Sequence, residues 1–194
     1  MIVDVVMYLL LGAAMGTLGG LFGIGGGLVA IPALGVLFGL DQQLAQGTAL
    51  LMVLPNVLLA LWRYNQRNRI SVRNAMSLIV PSFIMSWLTS LWAVRIDPQS
   101  MRIGFVAFLV VLTLFNVIQM YWRKGHSGPQ LRHGRWLWVL GLGSGVTAGM
   151  FGVGGGVIAT PILTGIFGAS QVAAQGLALA LAAPATIITM TTYA

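Results

Sequence analysis

Of 194 residues, 58% are apolar and only 7% are Asp, Glu, Lys or Arg, where a soluble domain carries about a quarter charged residues. That excludes a soluble globular domain and, with a mean hydropathy of +0.92, places the chain in a bilayer. The net charge of +7 sits in short breaks between apolar runs rather than in a patch, which argues against nucleic-acid binding, and the lack of cysteine excludes disulfides and thiolate chemistry.

A helix needs roughly 20 residues to cross about 30 Å of hydrocarbon, and against that length the apolar runs give eight segments. Segment A covers about Ile2 to Phe22, B Leu28 to Leu40, C Leu44 to Trp62, D Ala75 to Val94 and E Ile103 to Trp122. Three more follow: A′ from Trp136 to Phe151, B′ from Val157 to Phe167 and C′ from Val172 to Tyr193. B and B′ are short for a crossing. The start, Met1-Ile-Val-Asp4, has no basic residue, so segment A reads as a mature membrane segment and not a signal peptide. None of the runs alternates with period two, and the class is an all-α polytopic membrane bundle.

The primes mark an internal repeat. Phe22-Gly23-Ile24-Gly25-Gly26-Gly27 returns as Phe151-Gly152-Val153-Gly154-Gly155-Gly156, and Pro32-x-Leu34 as Pro161-x-Leu163. Phe38-Gly39 returns as Phe167-Gly168, Ala45-Gln46-Gly47 as Ala174-Gln175-Gly176, and Pro55 as Pro184. Each partner stands 129 positions after the first, without a gap. The chain therefore divides into a first repeat with its following loop, residues 1–135, and an incomplete second repeat, residues 136–194, within one membrane domain.

Basic residues set the orientation. Arg63, Arg67, Arg69 and Arg73 lie between C and D, and Arg123, Lys124, Arg132 and Arg135 between E and A′. Arg95 and Arg102, offset by Asp97, lie between D and E. D and E are two full spans, so both four-charge loops share one face, the cytoplasmic one. An N-terminus with Asp4 and no basic residue favours a start on the opposite side, which makes the two repeats inverted.

Gly19-Gly20-Leu21-Phe22-Gly23-Ile24-Gly25-Gly26-Gly27-x4-Pro32-x-Leu34, then Ala45-Gln46-Gly47-Thr48-Ala49-Leu50, and their second copies at Gly149 to Leu163 and Ala174 to Leu179 resemble the TauE/SafE group of membrane permeases. The resemblance covers nearly the whole chain and implies export of sulfite or organosulfonates. One departure is that Gly176-Leu177-Ala178 stands where the first copy has Gly47-Thr48-Ala49, so a hydroxyl is lost.

Three adjacent glycines destabilise a continuous helix by about 1 kcal/mol each relative to alanine, so breaks are expected between A and B and between A′ and B′. A break frees the first N–H groups of the next helix, where the dipole adds partial positive charge. Gly25, Gly26, Gly27, Gly154, Gly155 and Gly156 are therefore candidate substrate-binding residues for an anion. The spacing of Gly12, Gly16 and Gly20, and of Gly141, Gly145 and Gly149, suits helix packing instead. Pro32 and Pro161 fall near the first turn of B and B′, where helices restart. Gln46 and Gln175 can donate to an anion or bond across a helix interface, and Thr48 adds a hydroxyl in the first copy. Asn56 has Ala185 for a counterpart and reads as an interhelical hydrogen bond. Phe22 and Phe151 precede the triplets, as a gate or as packing aromatics.

Asp4, Asp41 and Asp97 are the acids, all in or beside loops, leaving no buried carboxylate for a proton relay. His126 and His133 belong to the cytoplasmic loop and suggest no metal site. Ser144, in Gly143-Ser144-Gly145, has Leu142 where a rhomboid-type Gly-x-Ser pattern needs glycine and no later histidine to serve as base, so neither an enzyme nor a cofactor is expected. The expectation is a permease for a small anion, a sulfur oxyanion or organic acid, in a bacterial inner membrane, with a passive anion channel and a non-transporting assembly factor as alternatives. Segment C ends near Trp62 and its counterpart falls at 191, so equivalents of D and E, on the order of 60 residues, are expected beyond this sequence or from a second copy in a homo-oligomer.

Overall fold

The computed structural model describes residues 12, 13, 16, 17, 26–67, 72–122 and 136–193; most of segment A, including Phe22 and Gly25, lies outside these. Seven helices are described: α1 (Gly27–Phe38), α2 (Gln42–Arg67), α3 (Val72–Ala93), α4 (Pro98–Trp122), α5 (Leu137–Phe151), α6 (Gly156–Gly165) and α7 (Gln171–Tyr193), with no strand among the described residues. α2, α3, α4 and α7 are long and apolar enough to cross a membrane. The protein is a multi-pass integral membrane protein whose described elements are all helices.

Hydropathy placed the helices and misjudged their ends. α2 continues past Trp62 to Arg67 and α4 starts at Pro98, not Ile103, because a helix can run on beyond the hydrocarbon. Asp97 caps α4, accepting from the N–H groups of Gln99 and Ser100 at 3.1 Å each. α1 and α6 begin at Gly27 and Gly156, each behind a left-handed glycine, Gly26 (φ 86°) and Gly155 (φ 69°). Pro32 and Pro161 thus lie in the second turn rather than the first, six residues into each helix. At roughly 18 and 15 Å, neither helix reaches across about 30 Å of hydrocarbon.

Contacts fix the relative directions. Gly141, Gly145 and Gly149 of α5 meet Leu78, Ser82 and Ser86 of α3 in ascending order, so these helices run the same way. A Cβ on Gly145 would stand 2.5 Å from the Ser82 carbonyl oxygen, a separation that only glycine permits. α3 and α7 also run together: Ser86 and Thr189 share a hydrogen bond of 2.7 Å, and Ser90 donates to Thr192 at 3.1 Å. α2 and α7 run oppositely, with Gly47 against Tyr193 at one end and Tyr64 against Gly176 and Val172 at the other. Gly155 faces Leu181 and Gly156 faces Ala178, so α6 descends against α7. α5 and α6 therefore form a helical hairpin that enters beside α3 and returns, with the Gly152–Gly155 turn at its tip.

Candidate functional site

At the hairpin tip, the N–H of Gly152 donates to Ala148 O at 2.9 Å and ends α5, and Gly152, Gly154 and Gly155 hold φ values of 66°, 74° and 69°. Left-handed backbone costs an L-residue about 1–2 kcal/mol, so these glycines are what let the chain reverse in so few residues. α6 then opens with no side-chain cap and no acidic residue in its first turn. The Gly156 N–H turns back to Gly154 O at 2.8 Å, and the dipole of α6 places its partial positive charge at the tip.

Three buried polar side chains surround that tip. Gln46, from α2, is fully buried; a Cβ on Gly152 would stand 3.2 Å from its own Cβ, and neither its Nε2 nor its Oε1 has a hydrogen-bond partner. Thr186, from α7, is equally buried, with an unpartnered Oγ1 that would stand 3.2 Å from a Cβ on Gly154. Ser144, from α5, is the third, with an unpartnered Oγ and a carbonyl oxygen that would stand 2.9 Å from a Cβ on Gly155. Leaving a buried polar group unsatisfied costs about 1–3 kcal/mol, so three around one turn hold a costly, preorganised set of neutral donors. An amide N–H, two hydroxyls and a helix N-terminus can together coordinate an anion without any cation.

Of the earlier glycine triplet, Gly27 reaches the same place. A Cβ on Gly27 would stand 3.5 Å from the Gly152 carbonyl oxygen and 3.7 Å from Val153 Cα, so the start of α1 abuts the tip between α5 and α6. Other expected site residues lie apart. Thr48 is two positions from Gln46, hence on the other side of α2, and donates to Leu44 O at 2.8 Å. Gln175 is half-buried and lies eleven residues from Thr186, about 16 Å along α7. Phe151 is buried in a three-ring cluster, stacked on Phe108 at 4.8 Å and tilted against Phe105 at 5.9 Å, and in this conformation it joins α5 to α4.

Sequence reasoning missed Thr186 and set Ser144 aside. A lone hydroxyl in the Ala-rich run 178–186 carries no local signal, and its meaning appears only when α7 is laid beside the glycine turn. Ser144 was weighed only as a nucleophile.

Residues 8–194 match the family described as Sulfite exporter TauE/SafE. The chain belongs to the TauE/SafE family. It is also similar to a probable membrane transporter protein of Methanocaldococcus jannaschii, with 29% identity over 168 residues, 81% of this chain and 60% of that protein. The chain thus spans about three fifths of the length of this relative. No solved structure matches it. TauE/SafE membership and the relative's description both speak of transport, not of catalysis.

Proposed function

We propose that this TauE/SafE protein is a permease of the plasma membrane that moves a small anion, a sulfur oxyanion, an organic sulfonate or an organic acid, by alternating access between two inverted repeats, the first with its loop in residues 1–135 and the second, incomplete, in residues 136–194. The observation that carries the reading is Gln46: a buried amide with no partner, supplied by the first copy and packed on the left-handed glycine turn of the second. Such a site exists only between the halves, which is where alternating access needs it.

Several features support the inverted arrangement. α6 and α7 begin 129 positions after α1 and α2, and the left-handed glycines Gly26 and Gly39 have left-handed counterparts at Gly155 and Gly168. α2 and α7, which correspond in sequence, run in opposite directions, as an axis in the membrane plane requires. In this reading α6 is the returning arm of a hairpin, and α1, its counterpart 129 positions earlier, runs in the opposite direction.

Uptake and efflux of sulfite, sulfate and simple sulfonates by the purified protein in proteoliposomes test the proposal. Slow flux that saturates with anion and is lost in Gln46→Leu supports it. Flux that does not saturate favours a channel, and no flux of any anion, with a stoichiometric copurifying partner, favours an assembly factor.

A further inference from the structure

α2 and α7 touch at both ends through the same two residue types. Tyr64 lies 22 residues into α2, Tyr193 lies 22 residues into α7, and they stand 129 positions apart, as do Gly47 and Gly176. The contacts are crossed: a Cβ on Gly47 would stand 3.3 Å from both Cβ and carbonyl oxygen of Tyr193, while a Cβ on Gly176 would overlap the ring of Tyr64. Residue i of one helix thus meets residue j of the other at one end, and j meets i at the opposite end, which is the signature of a two-fold relation.

The two ends are fastened differently. The Tyr193 hydroxyl donates to Gly149 O at 3.1 Å and Met150 O at 3.0 Å, tying the end of α7 to the last turn of α5, just before the glycine turn. The Tyr64 hydroxyl donates instead to Val172 O, in the first turn of α7. Tyr64 and Gly176 lie toward the end of α2 that leads to Arg73 in the first turn of α3, and Tyr193 and Gly47 lie at the far end of the pair. Glycine at 47 and 176 is what lets a tyrosine ring or backbone sit against the partner helix at each end.

Building on the inverted-repeat reading above, we propose that Tyr64 and Tyr193 are positioning residues that act as paired latches, and that the site opens to one face when one latch is released while the other holds. The Tyr193 latch bears on the hairpin that carries the glycine turn, so its release frees that tip toward the Gly47 face. Release of Tyr64 opens the Gly176 face.

The native chain has no cysteine, so single reporters can be read cleanly with a membrane-impermeant thiol reagent and no transported anion. Gln46→Cys and Gln175→Cys, each one residue before a latch glycine, report the two faces. Tyr193→Phe is expected to raise labelling of the Gln46→Cys reporter by about threefold to tenfold, the shift expected from losing one net hydrogen bond, and to leave the Gln175→Cys reporter unchanged. Tyr64→Phe should do the reverse. Equal changes at both reporters, or none, would overturn the proposal. If a phenylalanine variant does not fold, the pairs Gly47→Cys with Tyr193→Cys and Gly176→Cys with Tyr64→Cys replace it: an oxidised crosslink at one end should protect that face and leave the other reactive, and protection of both or neither would overturn it. Since no anion enters the readout, failure here leaves the anion reading standing, and failure of flux leaves the latches standing.

Discussion

Gln46 and Gln175 occupy the same Ala-Gln-Gly sequence 129 positions apart, yet the structure treats them differently. Gln46 is fully buried against Gly152 with both amide atoms unpartnered, whereas Gln175 is half-buried, eleven residues from Thr186. Identical local sequence therefore comes with different burial at the two positions. Among the described residues Gln46 packs on a glycine turn from residues 136–194, while the turn that corresponds to it, around Gly23, lies outside the described residues.

The largest way to break this comparison is at the turn itself. Gly155→Val places a β-branched residue at φ 69°, with its Cβ 2.9 Å from Ser144 O and 3.0 Å from Leu181 Cδ2, and should lower anion flux by about 100-fold or more with membrane insertion intact. Flux within tenfold of wild type in proteoliposomes would mean that the turn does not form the site. Thr186→Val keeps shape and removes one buried hydroxyl, so KM should rise by about tenfold, the value of one hydrogen bond to a charged group. Thermal stability should hold, since that hydroxyl has no protein partner to lose. Gln175→Leu sharpens the contrast by doing little, with KM expected within about threefold of wild type. The smallest effect is structural: Ser86→Ala removes the bond to Thr189 and should destabilise the folded protein by about 0.6 kcal/mol, read from detergent unfolding, with KM unchanged.

Much of the architecture was legible in the primary structure because a bilayer leaves few solutions. Apolar runs located all seven described helices. Ends were less legible: the helical stretch from Trp62 to Arg67 is polar, and Pro98 opens α4 through an Asp97 cap that a hydropathy reading passes over. The glycine motifs were visible as an interruption, but which polar groups would meet them was not. Gln46 and Gln175 stand out because Ala-Gln-Gly is repeated, whereas Thr48 has Leu177 for a counterpart and carries no such signal. Thr186 and Ser144 carry no repeat signal, and only the packing of α5 and α7 brings them to the turn. Phe151 precedes the glycines by sequence, but its surroundings are set by Phe105 and Phe108 of α4.

The measurement that bears most directly on a shared site between the halves is thermal unfolding of purified wild type and Gln46→Leu, with and without sulfite or a simple sulfonate. Replacing an unpartnered buried amide by a slightly smaller apolar side chain removes a desolvation cost, so ligand-free Gln46→Leu should melt at or above the wild-type temperature. Wild type should gain stability as anion is added, by mass action, and Gln46→Leu should not. A variant that melts well below wild type without ligand, or that keeps the full anion-induced shift, would contradict the account and make Gln46 a structural residue.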